Sequence, residues 1–518
     1  MLAVQSARVG MFDAAVLARP LPEGSFFALL AEHGYRVVRD EDFAECYSAG
    51  RGRPSIPPSQ LAKVLLLQHR TGASDEAAME AVAWDLRWKV ALGLPVDHQG
   101  WHPTSLTKFR ARLLLHRKEA VALEATLRVA EELGLLDGAA ERIIDSTPML
   151  GAAATQDTVR LVRHGVRKLI DAVTSADEDA AGRLDDGLEF DYRRPNDKPD
   201  CRWREKTARE RMLTRVAQDA ERALRAVEQA DGLLSDGAIA DAHRLLRELV
   251  GQDFDIDSDG VPRLHRGTRG NRIISTVDTE MRHGRKSQHQ RFDGYKLSAA
   301  ATNTSKPLIT AVQVAPASEQ DGPQAKHLID AQPQQRRPDR VLGDTAYGTG
   351  PVRAELAERE VAVLAPVFET PATEGRLAKR DFHIDLDAGT VTCPAGEVAS
   401  IRTEPSGQRR VGFAKPVCDQ CPLRERCVAP GRGRRQVLIA PDEQLLIAAR
   451  QALDDPDNAE HLRRTRPRIE RLLGLLAGRY GARKSRYIGR AKARLQAAWA
   501  AALVNLNPIA RHLAAQTA

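Results

Sequence analysis

The sequence predicts a multidomain α/β protein, and three observations carry that prediction. At 518 residues the chain exceeds what one compact hydrophobic core supports. Short apolar runs bounded by turn signals, at Arg142–Ile144, Phe292–Leu297, Leu308–Val314, Val341–Gly343 and Val361–Leu364, read as strands. Around them, apolar residues recur every three or four positions amid many charges, the pattern of amphipathic helices. A composition of 42% hydrophobic and 28% charged residues excludes wholesale disorder and collagen-like structure.

Residues 1–135 read as an N-terminal all-α domain. Leu61, Val64, Leu65 and Gln68 share a helical face after the loop Gly52–Gln60; Thr71–Ser74 breaks that helix, and Ser74 suits the N-cap of the next. A further helix opens at Pro103–Ser105 and carries Lys108, Arg110, Arg112, Arg117 and Lys118 around Leu106, Phe109 and Leu113. Helix, glycine-containing turn, helix and basic helix outline a helix-turn-helix-like DNA reader; an ordinary helical domain with a solvated charged face is the alternative. Residues 136–150 supply a first strand running into Asp145. Residues 151–270 are polar and helical. Met212, Leu213, Val216, Ala220, Leu224 and Val227, then Leu245, Leu246 and Leu249 beyond Asp231–Gly232, mark two amphipathic helices folded together as an insertion. Residues 271–367 return to a sheet, completing a β-β-β-α-β-α-β succession with helices near Asp321–Asp330 and Val352–Glu360. Residues 368–440 are loop-rich and hold a cysteine cluster. Residues 441–518 are helical, with Ile469, Leu472, Leu473 and Leu476 on one stripe and Pro467 expected in the first turn of its helix.

Lys plus Arg number 77 against 70 acids, a surplus of +7 that permits a nucleic-acid partner without requiring one. Most of the cations are Arg, which suits bidentate phosphate contacts. No apolar stretch reaches the length of a membrane span; Ala497–Leu506 comes nearest and is interrupted by Asn505 and Asn507. The start MLAVQSARVGMFDAA lacks the features of a signal peptide. A cytoplasmic, nucleoid-associated protein without membrane partners is therefore expected.

Asp145 follows the first apolar strand run and Asp344 follows Val341–Gly343. An acid at a strand end is held rigidly where an open metal site can form. Mg²⁺ takes oxygen ligands and keeps waters, so a few convergent carboxylates suffice, and two such ions can activate a nucleophile and stabilise a leaving oxygen. Glu470, beside the apolar stripe of the last domain, is the third candidate; amid Arg463, Arg464, Arg466, Arg468 and Arg471 it could equally be a salt-bridge hub.

The segments IIDSTPM, RFDGYKLSAA, LITAVQVAPASEQDG, VLGDTAYGTG and RPRIERLLGLLAGRYGARKSRYIGRAKARLQAAWAAALVNL resemble bacterial insertion-sequence transposases of the DDE class. The resemblance implies an RNase H-like core, a mixed sheet with flanking helices, whose Asp145, Asp344 and Glu470 bind two Mg²⁺ or Mn²⁺ ions. It also implies double-stranded DNA, as element ends and target, for a partner, and a homo-oligomer on that DNA. Around the last acid the related signature runs Tyr, two residues, Arg, three residues, Glu, six residues, Lys. Here Arg466 fills the Arg place, Arg463 stands for Tyr and Ala477 for Lys, with Arg479 near enough to substitute. Two rival functions stay open: a transposase-derived DNA-binding protein that no longer cuts, and a plain RNase H-like nuclease.

Other acids are set aside. Asp255, Asp257, Asp259 and Gly260 mimic the opening of an EF-hand loop, but Arg266 occupies its twelfth place. Asp278, ahead of Arg282 to Lys286, is read as DNA-facing. Cys393, then Cys418, Cys421 and Cys427, form two knuckle-like groups that suit structural Zn²⁺ in a small Cys-rich insertion; an iron–sulfur cluster is the lesser alternative. Cys46 and Cys201 read as unpaired thiols. His164, His283, His289 and His383 lack ligand spacing, and no phosphate-binding G-x-x-x-x-G-K-[ST] loop occurs. The expected DNA track runs from Lys108, Arg110 and Arg112 past Arg285 and Lys286 to Arg466, Arg479, Arg483 and Lys484, against the alternative of separate, locally neutralised faces.

Overall fold

The computed structural model describes residues 1–518 except 6–9, 49–51, 195–197, 288, 369–374 and 518. Part of the N-terminal stretch and the start of the Cys-rich segment thus lie outside the described residues. The remainder is a mixed α/β protein of several modules, built on one central sheet.

That sheet contains β1 (Glu141–Leu150), β2 (Arg282–Arg285), β3 (Arg291–Thr302), β4 (Ile309–Pro316), β5 (Arg340–Leu342) and β6 (Ala362–Leu364). β3 is the longest and shares its edge: β2 pairs with its first residues, β4 with the rest, and β1 with the opposite edge, all antiparallel. β5 and β6 then add in parallel beyond β1. The order β4-β3-β1-β5-β6 requires a crossover between β4 and β5, supplied by the Gln324–Asp330 helix. Alternation along the strands sends Ile143, Leu297, Ala299, Val312 and Leu342 to one face, and Ile144, Ala300, Ala311 and Val341 to the other. The helices Gln324–Asp330 and Gly350–Ala357 cover the second face. The first face carries the main core, which runs without a break from Phe26 in the N-terminal helices to Leu513.

The C-terminal helix Arg490–Thr517 joins these parts. Its Ala497–Val504 stretch is fully buried around Trp499. Asn505, which interrupts the apolar run in sequence, is buried too. Its side chain accepts from the Ile309 backbone N–H at 2.8 Å, donates to the Ile309 carbonyl at 2.8 Å, and reaches Thr126 on the Val121–Glu132 helix at 3.3 Å. It thereby satisfies the polar edge of β4 at a bulge, where a leucine would leave two backbone groups unpaired. Among the described residues no helix is long and apolar enough to cross a membrane.

Among the described residues, 151–270 hold four α-helices, not two: Thr158–Ala176 and Glu178–Asp186 join Lys206–Gln229 and Gly237–Asp253 around a separate core. The EF-hand-like acids lie on a hairpin, where Asp257 accepts from its own turn and pairs with Arg263 at 2.8 Å. The Cys-rich segment is more ordered than its composition suggests: two three-stranded sheets enclose Phe382, Val391, Val411, Phe413 and Val437. Lys379 pairs with buried Glu443 and docks the module onto the Glu443–Asp454 helix, where Arg450 of that same helix also holds Glu443.

Two expectations need correcting. Pro467 lies inside the Pro456–Gly474 helix, not in its first turn. Pro456 takes the N1 place, where the missing N–H costs nothing, while Asp455 caps Asp457. β1 also continues five residues past Asp145, because β3 pairs with it as far as Leu150.

Candidate active site

Asp145, Asp344 and Glu470 all line one cavity of about 480 Å³. Each arrives by a different local device. β5 pairs with β1 only as far as Ile143, so Asp145 sits just beyond the end of its parallel neighbour while β3 still holds its other side. Asp344 stands two residues past β5 and caps the turn Thr345–Tyr347, its Oδ1 accepting from Ala346 N–H at 2.9 Å. Glu470 projects from the exposed side of the Pro456–Gly474 helix, which packs on β1 through Ile469 and Leu473. Arg466, one turn earlier, lies 4.0 Å from it. The helix then widens into a π-turn over Leu475–Arg479, bringing Ala477 to the cavity wall.

A fourth acid, Asp321, lines the same cavity. It accepts from Ser146 Oγ at 2.8 Å and pairs with Lys296 at 3.1 Å. Lys296 also donates to the Glu319 carbonyl at 2.7 Å and lines the cavity. Arg285, Lys286 and Arg483 complete the wall. Leu150 N–H donates to the Arg483 carbonyl at 2.8 Å and Ser485 N–H to Leu150 O at 2.7 Å, pinning this basic segment to the end of β1.

Burial pushes the Asp145 carboxyl up to about 6; the Ser146 N–H bond opposes this, while Asp344 and Glu470 raise it further and Arg466 lowers it. Beneath the acids Tyr347 is fully buried, with Ser298 beside its hydroxyl. Burial and the charges of Asp321, Asp145 and Asp344 hold that phenol well above its ordinary value. The donor set is all oxygen, partly desolvated and mutually repulsive. Its chemistry fits a hard divalent cation. Among the described residues, however, no group of three or more His, Cys, Asp or Glu side chains is arranged to hold a metal ion.

The four cysteines Cys393, Cys418, Cys421 and Cys427 border a second cavity, of about 280 Å³. Cys393 and Cys421 open turns, where Gly396 N–H donates back to Cys393 O and Arg424 N–H to Cys421 O, while Cys418 and Cys427 lie on the short helices Lys415–Asp419 and Arg424–Cys427. Burial pushes the Cys427 thiol up, Arg435 lowers it, and the other three thiols raise it further. All six cysteines are unbridged. An all-sulfur donor set fits zinc by chemistry.

The expected DNA contacts divide. Arg285, Lys286 and Arg483 lie at the acidic cavity, and Arg479, Lys484 and Lys108 are exposed. Arg110 is engaged inside the protein: it pairs with Asp75 and stacks 5.1 Å over Tyr487, with 11% of its side chain exposed. Arg112 stacks 4.2 Å over Tyr47. Asp278 does not face DNA. It is buried, accepting from the Tyr295 hydroxyl at 2.7 Å and from Gly489 N–H at 3.2 Å, so the strand and C-terminal loop consume its charge. Sequence reasoning missed Asp321; its signal was the segment QDG placed between an apolar strand and a helix.

Residues 17–112 match the model of a transposase domain, DUF772, and residues 392–510 match the transposase DDE domain, which includes Glu470 and the cysteines. The chain thus carries transposase domains toward both ends, and these support an insertion-sequence DDE transposase. No curated protein and no solved structure matches the chain.

Proposed function

We propose that the protein cleaves DNA strands and transfers them during movement of an insertion sequence, using Asp145, Asp344 and Glu470 as a catalytic triad on an RNase H-like core. One observation carries this reading: three acids from distant segments share a cavity with Lys296, Arg285, Lys286 and Arg483, so negative ligands lie beside cations suited to a phosphodiester. The antiparallel-then-parallel strand order supports the fold assignment.

Asp145, Asp344 and Glu470 would hold Mg²⁺ or Mn²⁺, whose Lewis acidity lowers the charge barrier at phosphorus. The chain itself supplies alignment. Lys296 and Arg483 orient the phosphate oxygens, Asp321 keeps Lys296 in place, and Ser146, next to Asp145 on β1, ties Asp321 to that strand. Cleavage forms a P–O bond from water and breaks the bond to the 3′-oxygen, which takes up a proton. Transfer forms a P–O bond from that 3′-OH and breaks the corresponding bond in target DNA. Both are in-line displacements, so one cavity serves both. In the same reading Cys393, Cys418, Cys421 and Cys427 take structural Zn²⁺, residues 1–135 help hold the element ends, and the protein acts as a homo-oligomer on DNA.

The test is cleavage and strand transfer on the element's own flanking DNA. The wild type should act only with Mg²⁺ or Mn²⁺. Asp145→Asn should lose at least about a hundredfold in rate while binding the same duplex. A wild type that binds DNA and never cuts it, with either metal, would instead favour a non-catalytic DNA-binding protein.

A further inference from the structure

We propose that the Cys-rich module carries a second DNA-contacting site, a basic cleft that grips the sugar–phosphate backbone of duplex DNA. The proposal rests on the transposase reading above and adds a surface outside the acidic cavity. Residues 375–440 contain twelve Lys and Arg against seven Asp and Glu, so this small module holds most of the surplus charge of a chain whose net charge is +7. Five of those cations, Arg410, Lys415, Arg432, Arg434 and Arg435, line a single cleft of about 670 Å³, and no acid lines it.

The fold concentrates them. Arg410 lies on the strand Arg409–Gly412, Lys415 opens the short helix beyond it, and Arg432 to Arg435 occupy the loop leading into the partner strand Gln436–Ile439. Three of the five are tied down by the protein. Arg410 pairs with Glu404 at 3.3 Å, Lys415 with Asp419 at 2.6 Å, and Arg435 donates to the carbonyls of Cys427 and Leu377. Arg432 and Arg434 are exposed and have no ion pair or side-chain hydrogen bond among the described residues. Two unpartnered guanidinium groups, Arg432 and Arg434, stand on either side of Gly433 beside three anchored cations, and no carboxylate among the described residues neutralises Arg432, Arg434 or Arg435.

The remaining lining decides the ligand. Ala429, Gly433 and Gln436 give no aromatic platform, so neither a stacked base nor a free nucleotide is served; what remains is a cluster of positive charge that complements phosphates. Binding there should therefore ignore sequence and weaken steeply with salt.

The experiment uses the full chain, a short duplex of arbitrary sequence, and affinity measured over a salt series. Arg432→Gln with Arg434→Gln should weaken binding several-fold at low salt and reduce the logarithmic salt slope by about 1–2, near 0.9 per lost phosphate contact. Arg380→Gln, an exposed arginine of the same module outside the cleft, controls for general charge. Both cleft residues are exposed and unpartnered, so the melting temperature should not move, and a normal melt certifies the fold. Wild-type affinity and slope in the double variant would overturn the cleft while leaving the transposase reading intact. The same holds if duplex RNA, and not duplex DNA, loses affinity. A wild type that binds no duplex DNA would instead remove the reading on which the cleft rests.

Discussion

Asp145 shows how a residue's surroundings turn into a measurable property. Its carboxyl holds a proton more tightly when folded, up to about 6, than in the unfolded chain, near 3.9. The contribution of Asp145 to the stability of the metal-free protein is therefore fullest below about pH 4 and declines as pH rises through about 6, because the folded state must then carry a partly buried charge. Asp145→Asn removes that cost. We expect metal-free Asp145→Asn to melt higher than wild type at about pH 8, by on the order of 1–3 kcal/mol in stability, and no differently at about pH 4. Thermal melts at both pH values check it; equal melting at the higher pH would count against the electrostatic account. Asp321 permits a second test. Asp321→Asn should leave Lys296 without its counter-charge and slow strand cleavage at least about tenfold, with duplex affinity nearly unchanged, as cleavage and binding assays would separate. Asp145 and Asp344 stood out in sequence because each follows an apolar strand run, and Glu470 because it borders an apolar stripe. Asp321 did not, since a loop has no periodicity, and only the fold brings Lys296 and Ser146 to it. Asp278 misled for the opposite reason: nearby basic residues suggested an exposed site, while its partners Tyr295 and Gly489 lie 17 and 211 residues away.

Among the elements, β1 and β3 determine whether the cavity exists. Gly294 lies opposite Leu150 with φ +142°, and a Cβ there would meet Gly151 N at 2.3 Å and Met149 O at 2.4 Å. Both obstacles are backbone, which cannot rotate aside. Gly294→Ala should cost about 3 kcal/mol or more, read as a large fall in melting temperature; a change under about 1 kcal/mol would mean the strands separate freely there. The Cys-rich module should behave as an independent element, having its own core around Phe382 and Val411. Chelation of zinc, or Cys421→Ser, should expose residues 375–440 to protease while the main melting transition stays in place. Elemental analysis finding neither zinc nor iron in the reduced protein would remove the metal from this account. Local spacing made the cysteine turns legible, whereas the six short strands around them were hidden in a polar, glycine-rich stretch. The Thr158–Ala176 helix was blurred in the same way, by its many charges.

For the whole molecule, the main lesson concerns the N-terminal helices. Their basic helix Thr104–Leu115 faces inward as much as outward: Arg110 joins Asp75 to Tyr487, and Arg486 reaches the Ala73 carbonyl. Arg110→Ala should therefore lower stability by about 1–3 kcal/mol and leave the salt dependence of DNA affinity unchanged, whereas Arg285→Gln with Arg483→Gln should flatten that dependence and slow cleavage. Affinity and melting measurements on the two variants distinguish a clamp from a phosphate contact. The unbroken core from Phe26 to Leu513 has a consequence for how the protein is made. The helices Pro58–Thr71 and Val121–Glu132 pack partly on their neighbours, but they cannot complete their burial until Trp499 and its alanine neighbours, which follow them in the chain, have left the ribosome. Glu470 emerges shortly before Trp499. During translation the nascent chain can thus neither complete this core nor assemble its acids, and both deficits end together when the Arg490–Thr517 helix docks.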